Sequence, residues 1–127
     1  MKNNRIFNWR VIIRGLLLLL YSMFIFYLSS KSGVGNFYIA PDYVLHAVEY
    51  GILAFLALAF VRAIFPAENV NRDIVITLLF IFIYGVTDEF HQYFVPNRHA
   101  SIVDIFSDIT GGMITCIVYY ISYNSGK

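Results

Sequence analysis

Four apolar stretches, each about 20 residues long, dominate this chain of 127 residues and limit what it can fold into. The first reads VIIRGLLLLLYSMFIFYLSS, residues 11–30, and Arg14 is its single charged residue. A helix rises about 1.5 Å per residue, so about 20 residues cross the roughly 30 Å hydrocarbon core of a bilayer. The chain is 59% hydrophobic and only 13% charged, which is a membrane composition. We therefore predict an all-α fold, an integral membrane bundle of four transmembrane helices.

Capping and turn residues divide the rest of the apolar sequence into three further spans. Asp42 is placed to cap the second span, and Ser101 is placed to cap the fourth. Pro96 and Asn97 close the third. The first apolar run is longer than the roughly 7 to 15 residues of a signal peptide, so we interpret it as an uncleaved anchor. The predicted spans cover residues 11–30, 44–65, 74–94 and 102–123 of a single domain, 1–127.

The distribution of Lys and Arg predicts the orientation, because cytoplasmic loops are enriched in both residues. With the N-terminus inside, only Lys31 and Arg98 fall on the outer side. The other basic residues fall on the inner side, namely Lys2, Arg5, Arg10, Arg14, Arg62, Arg72 and Lys127. We predict that both termini are cytoplasmic, that the connections near 31–43 and 95–101 lie outside, and that the loop at 66–73 lies inside.

In this orientation, acidic residues from three spans reach a similar depth below the outer surface. Asp88 lies 14 residues beyond Ile74, which leaves roughly 9 Å to the outer face. Asp108 is about 9 Å deep in the fourth span, and Glu49 is about 7 to 8 Å deep in the second. A charged side chain at the centre of a span costs roughly 2.5 to 3.5 kcal/mol, so these carboxylates are expected to face the bundle interior.

Helical spacing gives each of these spans one polar face. Residues three or four positions apart share a helix face, which groups His46 with Glu49 and Tyr50, Asp88 with His91 and Gln92, and Ser101 with Asp104 and Asp108. We expect the three faces to line a pocket that opens to the outer leaflet. The candidate catalytic residues are Asp88, Glu89, His46 and Asp108. The candidate binding residues are Arg98, Gln92, Tyr50, Asp104, Glu49 and His91.

The acids of this pocket outnumber its cations, and this excess predicts its chemistry. Either some carboxyl groups are protonated, or oxygen ligands hold a hard divalent cation such as Mg²⁺ or Ca²⁺. Arg98 can clamp a phosphate, while His46 or His91 moves a proton. Structural interpretations stay open for several residues. Asp104 can complete a capping box with Ser101, and Arg98 can pair with Asp104 or Asp88. His46 can be a helix-packing histidine, and His99 is expected to be a solvated loop residue rather than a ligand.

Three stretches of the sequence form recognisable motifs: FIFYLSSKSG, residues 24–33, PDYVLHAVEYGILAFL, residues 41–56, and TDEFHQYFVPNRHASIVDIFSDITGG, residues 87–112. They resemble the VanZ-like family of small bacterial membrane proteins. Two positions depart from the family's pattern, since Tyr43 stands where a lysine is expected and Asn97 replaces a frequent glycine. The family is named for a protein associated with resistance to the glycopeptide teicoplanin, so the resemblance implies a role at the cell envelope, in the bacterial cytoplasmic membrane.

Three functional hypotheses follow from the pocket and the resemblance. The first is an enzyme or metal-assisted site that acts on a lipid-borne headgroup in the outer leaflet. The second is a non-catalytic protein that binds an envelope lipid, a lipid-linked precursor or a glycopeptide. The third is a regulatory subunit whose charges serve helix packing. The sequence predicts a membrane lipid or lipid-linked precursor as partner and no nucleic acid, and it leaves catalysis, the metal and the oligomeric state open.

Overall fold

The protein is described by a computed structural model that covers residues 8–31, 41–65 and 68–126. These residues form four helices and no strand: α1 (Trp9–Ser29), α2 (Asp42–Ile64), α3 (Val70–Gln92) and α4 (Ile102–Ser125). Each helix is long and apolar enough to cross a membrane. The predicted bundle of four transmembrane helices is therefore confirmed. Lys2, Arg5, Lys127 and most of the first predicted outer connection lie outside the described residues.

The helix starts show which capping predictions were correct. Ser101 caps α4 as predicted, because its hydroxyl accepts a hydrogen bond from the Val103 amide at 3.1 Å. The predicted cap at Asp42 is wrong: Pro41 occupies the cap position and Asp42 is the first helical residue. Helix α3 begins four residues before the predicted span, because the Asn69 side chain accepts from the Arg72 amide at 3.0 Å and starts the helix there.

Contacts near the helix ends show that the four helices alternate in direction. Arg14, near the start of α1, donates to the carbonyl of Ala59 near the end of α2, at 2.9 Å. Arg98, just after α3, donates to the carbonyl of Leu28 near the end of α1, at 3.2 Å. Helices α1 and α3 therefore end where α2 and α4 begin. We call this end of the bundle, marked by Ser29, Asp42, Gln92 and Ser101, the site end.

Helices α2 and α4 form the closest and most extensive pairing in the bundle. A Cβ atom added at Gly111 would lie only 2.0 Å from the carbonyl oxygen of Ala47, so the two backbones touch at this point. Thr115 donates a hydrogen bond to the Gly51 carbonyl at 2.9 Å, one turn further along. Small residues are enriched where membrane helices approach this closely, because dispersion and hydrogen bonding replace the hydrophobic effect inside a bilayer.

The outside of the bundle is apolar, as a lipid-facing surface requires. Phe55, Phe90 and Ile114 are examples of large apolar side chains that stay more than half exposed. Helix α1 contributes least to the interior, with only Ile25 and Ser29 fully buried. Most of the buried polar side chains lie at the site end. The candidate functional residues are therefore found at this end of the bundle.

The contact at Gly111 gives a direct test of the packing. We expect Gly111→Ala to lower the free energy of unfolding by about 1 to 3 kcal/mol, because the added methyl group overpacks the α2–α4 contact. Gly51→Ala is the matched control, since its Cβ would lie 3.5 Å from the nearest atom, an ordinary contact. Thermal unfolding in detergent micelles measures both variants. Equal melting temperatures for the two alanine variants would contradict the packing described here.

The orientation of the site end can be tested by cysteine labelling in a Cys116→Ala background. His99 and Asn71 are exposed at opposite ends of the bundle. With the predicted orientation, His99→Cys reacts with a membrane-impermeant maleimide in intact cells, and Asn71→Cys reacts only after permeabilisation. The reverse labelling pattern would place the site end in the cytoplasm and contradict the orientation.

Candidate functional site

A buried pair of His46 and Asp108 joins α2 to α4 at the site end. The Nδ1 atom of His46 lies 2.9 Å from Oδ1 of Asp108. The two residues are only 5% and 1% exposed. The sequence analysis placed both side chains on polar faces of different helices, and the structure brings them into direct contact.

Helix α3 makes room for this pair at Gly85. A Cβ atom added at Gly85 would lie 2.9 Å from Oδ2 of Asp108 and 3.5 Å from the Tyr50 ring. Asp108 therefore lies between His46 of α2 and the backbone of α3. Sequence reasoning did not single out Gly85, although its position three residues before Asp88 places it on the same helix face.

The carboxylate of Asp88 belongs to a polar chain that reaches α1. The Gln92 side-chain amide donates to Oδ2 of Asp88 at 3.2 Å and to the hydroxyl of Ser29 at 2.7 Å. All three residues are buried. Asp88 and Gln92 were predicted to share a face, but Ser29 is a further member that the sequence analysis missed, because nothing in the sequence indicates where α1 packs.

Glu89 of α3 accepts a hydrogen bond from the backbone at the start of α4. Its Oε2 atom accepts the Ser101 amide hydrogen at 2.8 Å. The capping box considered for Asp104 and Ser101 is therefore not formed, because Glu89 already accepts the amide hydrogen that Asp104 would have needed. Asp104 is 7% exposed as a residue, and its carboxylate has no hydrogen bond to any residue that the structure describes.

Two predicted binding residues lie beside α1 rather than against the acids. Arg98 donates to the backbone carbonyls of Lys31 at 3.0 Å and Leu28 at 3.2 Å, and makes no ion pair within the described part of the chain. His91 lies 2.9 Å from the Ser30 hydroxyl and stacks on the Phe26 ring at 4.2 Å between centroids. The structural pairing considered between Arg98 and an aspartate is thus not formed.

The turn before Arg98 explains one departure from the family's pattern. Asn97 has a φ angle of 62°, in the left-handed region that favours glycine. Asparagine tolerates this conformation better than most residues do. Glycine and asparagine both suit the backbone conformation at this position.

Four buried polar atoms at the site end make no hydrogen bond of good geometry within the described residues, although the Tyr50 hydroxyl lies close to the Asp88 carboxylate. They are the Tyr50 hydroxyl, Oδ1 of Asp88, Oε1 of Glu89 and Oδ2 of Asp108. A buried polar group without a partner costs about 1 to 3 kcal/mol. These atoms can accept hydrogen bonds or coordinate a cation, and they come from three helices. Glu49, the remaining acid among the predicted site residues, is only partly buried.

An apolar groove of about 840 Å³ lies between α2 and α4 and is open on the lipid-facing side. Its lining includes Tyr43, Ala47 and Gly51 on α2 and Ser107 and Gly111 on α4. Tyr43 and Ala47 directly follow Asp42 and His46 in the chain, so the groove begins at the same end of α2 as the polar cluster. The acids themselves do not line it.

One group of side chains has the spacing of a cation site. Ligand atoms of Asp42, His46 and Asp104 all lie within 4.8 Å of one another. Asp42 is exposed at the start of α2, while the other two residues are buried. The sequence analysis treated Asp42 as a cap and not as part of the site.

Comparison with known proteins decides the family. A family model described as VanZ/LLP1 matches residues 11–123, nearly the whole chain. The chain belongs to the VanZ-like family. The resemblance that the three sequence stretches carried is thereby confirmed, and this VanZ-like protein is a multi-pass membrane protein by its four apolar helices. No curated protein and no solved structure matches it significantly.

Proposed function

We propose that this VanZ-like protein engages the headgroup of a membrane lipid or a lipid-linked envelope precursor at its site end. The observation that carries the proposal is the presence of a buried polar cluster at the same end of the bundle that an apolar, lipid-accessible groove reaches. A lipid likewise combines a polar headgroup with an apolar chain. The headgroup would contact the polar cluster while the chain lies in the groove against α2 and α4. The predicted orientation puts this headgroup in the outer leaflet.

The charges of the cluster favour particular headgroup chemistry. Asp88, Glu89, Asp104 and Asp108 are all buried, and His46 is the one basic side chain that contacts any of them within the described residues. Carboxylates accept hydrogen bonds, so sugar hydroxyls and ammonium groups complement the cluster directly. A phosphate group complements it only through a cation or through protonated acids.

The pair of His46 and Asp108 gives the site a means of moving a proton. A carboxylate bonded to Nδ1 of a histidine orients the ring and stabilises its protonated form, which leaves Nε2 to exchange a proton with a bound molecule. Asp88 and Glu89 each keep one oxygen free and can position the same molecule. A lipid headgroup reaction that uses acid–base catalysis is therefore the enzymatic form of the proposal.

A second candidate function is a non-catalytic binding or regulatory subunit. It is favoured by the hydrogen bonds that tie several of the polar side chains to neighbouring helices, such as Glu89 to the start of α4 and Gln92 to Ser29. These contacts serve packing as well as a site. Membership in a family named for a teicoplanin-associated protein extends either form of the proposal to glycopeptide resistance and envelope lipid metabolism.

The groove can be tested by filling it. Val48 lines the groove and is 56% exposed, so Val48→Trp adds a large side chain with little disturbance of the α2–α4 contact. We expect this variant to lose most of the lipid that co-purifies selectively with the wild type, as measured by native mass spectrometry. Val86→Trp is the matched control on a lipid-exposed part of α3 outside the groove. Equal lipid retention by both variants would contradict the groove.

A measurement of whether the protein converts its co-purified lipid distinguishes an enzyme from a protein that only binds the lipid. We expect Asp88→Asn to abolish conversion of the co-purified lipid in nanodiscs while the variant keeps its helical fold. Asp73→Asn is the control, because Asp73 is an equally buried aspartate on the same helix that pairs with Arg72 at 2.8 Å, away from the site end. Selective lipid retention without turnover in the wild type would favour the binding protein, and lipid content equal to that of the bulk membrane would contradict both.

A further inference from the structure

We propose that Asp42, His46 and Asp104 bind a divalent transition-metal ion of the Zn²⁺ type at the mouth of the site end. The site deepens the proposed function, because such an ion would let an acidic cluster engage the phosphate of a lipid headgroup. The metal-binding step itself requires no lipid and can be measured alone.

The ligand geometry is the first support. One ligand atom from each of the three residues lies within 4.8 Å of the other two. Carboxylate oxygens and imidazole nitrogens bind zinc at about 2.0 to 2.2 Å, so atoms at this spacing close on one ion with small side-chain rotations. Asp42 can make such a rotation, since it is exposed on the first turn of α2.

The state of Asp104 is a second and independent observation. The residue as a whole is only 7% exposed, yet its carboxylate accepts no hydrogen bond and forms no ion pair within the described part of the chain. The capping role that would have explained it is filled by Glu89. A carboxylate in this position loses much of its hydration without gaining a hydrogen-bond donor, and a cation between Asp104, Asp42 and His46 would satisfy it.

Asp108 completes the arrangement as a positioning residue. Metal-binding histidines almost always donate their second ring N–H to a carboxylate or carbonyl, which fixes the ring and makes the other nitrogen a better ligand. The 2.9 Å contact between Asp108 and Nδ1 of His46 is such a bond. It leaves Nε2 of His46 as the nitrogen that binds the ion. In the metal-bound form His46 is therefore a ligand, and the proton transfer proposed above passes to water bound to the ion or to a neighbouring carboxyl group.

The ligand set favours a particular kind of ion. Mg²⁺ and Ca²⁺, the cations that the sequence predicted for the pocket, prefer oxygen ligands alone. An imidazole with two carboxylates suits Zn²⁺ better. Three protein ligands also leave a coordination position for water or a phosphate oxygen, as in catalytic zinc sites. The ion would thus join the protein to a phosphate-bearing headgroup.

The test is a calorimetric titration of Zn²⁺ into the full-length protein, purified in detergent, depleted of lipid and treated with chelator. We expect one saturating site in the wild type and at least a tenfold weaker Kd for His46→Ala and Asp104→Asn. Asp108→Asn should weaken the Kd by about 10- to 100-fold, the range for residues that orient a metal ligand. His99→Ala is the control, because His99 is an exposed loop histidine near the same end.

Folding is followed by gel filtration and by melting temperature without metal. Asp42→Asn keeps the test decisive if a buried variant fails to fold, because Asp42 is exposed and its loss leaves the packing intact. A Kd for Asp42→Asn within twofold of the wild type, or no saturable Zn²⁺ binding at all, would overturn the metal site. Zn²⁺ binding without selective lipid retention would refute the headgroup proposal alone, and selective lipid retention without Zn²⁺ binding would refute the metal site alone.

Discussion

The buried contact between His46 and Asp108 is the interaction on which the site end depends. Inside a bilayer, polar groups have no water to bond, so a carboxylate on α4 is tolerated only where another helix supplies a partner. His46 of α2 supplies it at 2.9 Å. The contact requires α2 and α4 to lie almost backbone to backbone, which Gly111 permits, and requires space on α3, which Gly85 provides. The other polar residues of the site end are arranged around this pair.

The functional interpretation follows from where the polar groups lie. The outside of the bundle and the groove between α2 and α4 are apolar, and the site end gathers buried acids from α3 and α4 with His46 of α2. Some of these acids are used within the fold, as Glu89 is at the start of α4. Others keep an oxygen without a hydrogen bond or, like Asp104, accept no hydrogen bond in the described part of the protein. Groups of this second kind are the support for the proposed binding site.

The sequence predicted the features that depend on local patterns, and it could not predict those that depend on which helices touch. Span lengths, the Ser101 cap and the meeting of His46 with Asp108 follow from apolar runs, capping chemistry and helical spacing. The predicted cap at Asp42 was wrong because Pro41 takes the cap position, and the approach of Asp42 to Asp104 depends on how α2 packs against α4. Arg98 was expected to pair with an acid because opposite charges attract. Instead, its guanidinium group donates hydrogen bonds to two backbone carbonyl groups at the end of α1. Ser29 and Gly85 carry no chemical signal of their own, so only the packing shows their roles.

A double-mutant cycle on His46→Ala and Asp108→Ala, with unfolding by sodium dodecyl sulfate in mixed micelles, tests the central interaction most directly. Two residues in direct contact couple by about 0.5 to 3 kcal/mol, and residues far apart add within about 0.5 kcal/mol. The structure predicts a favourable coupling of about 1 kcal/mol or more, because each single variant leaves the other partner buried and unpaired. Additive effects of the two substitutions would show that the side chains do not meet and would contradict the proposed site.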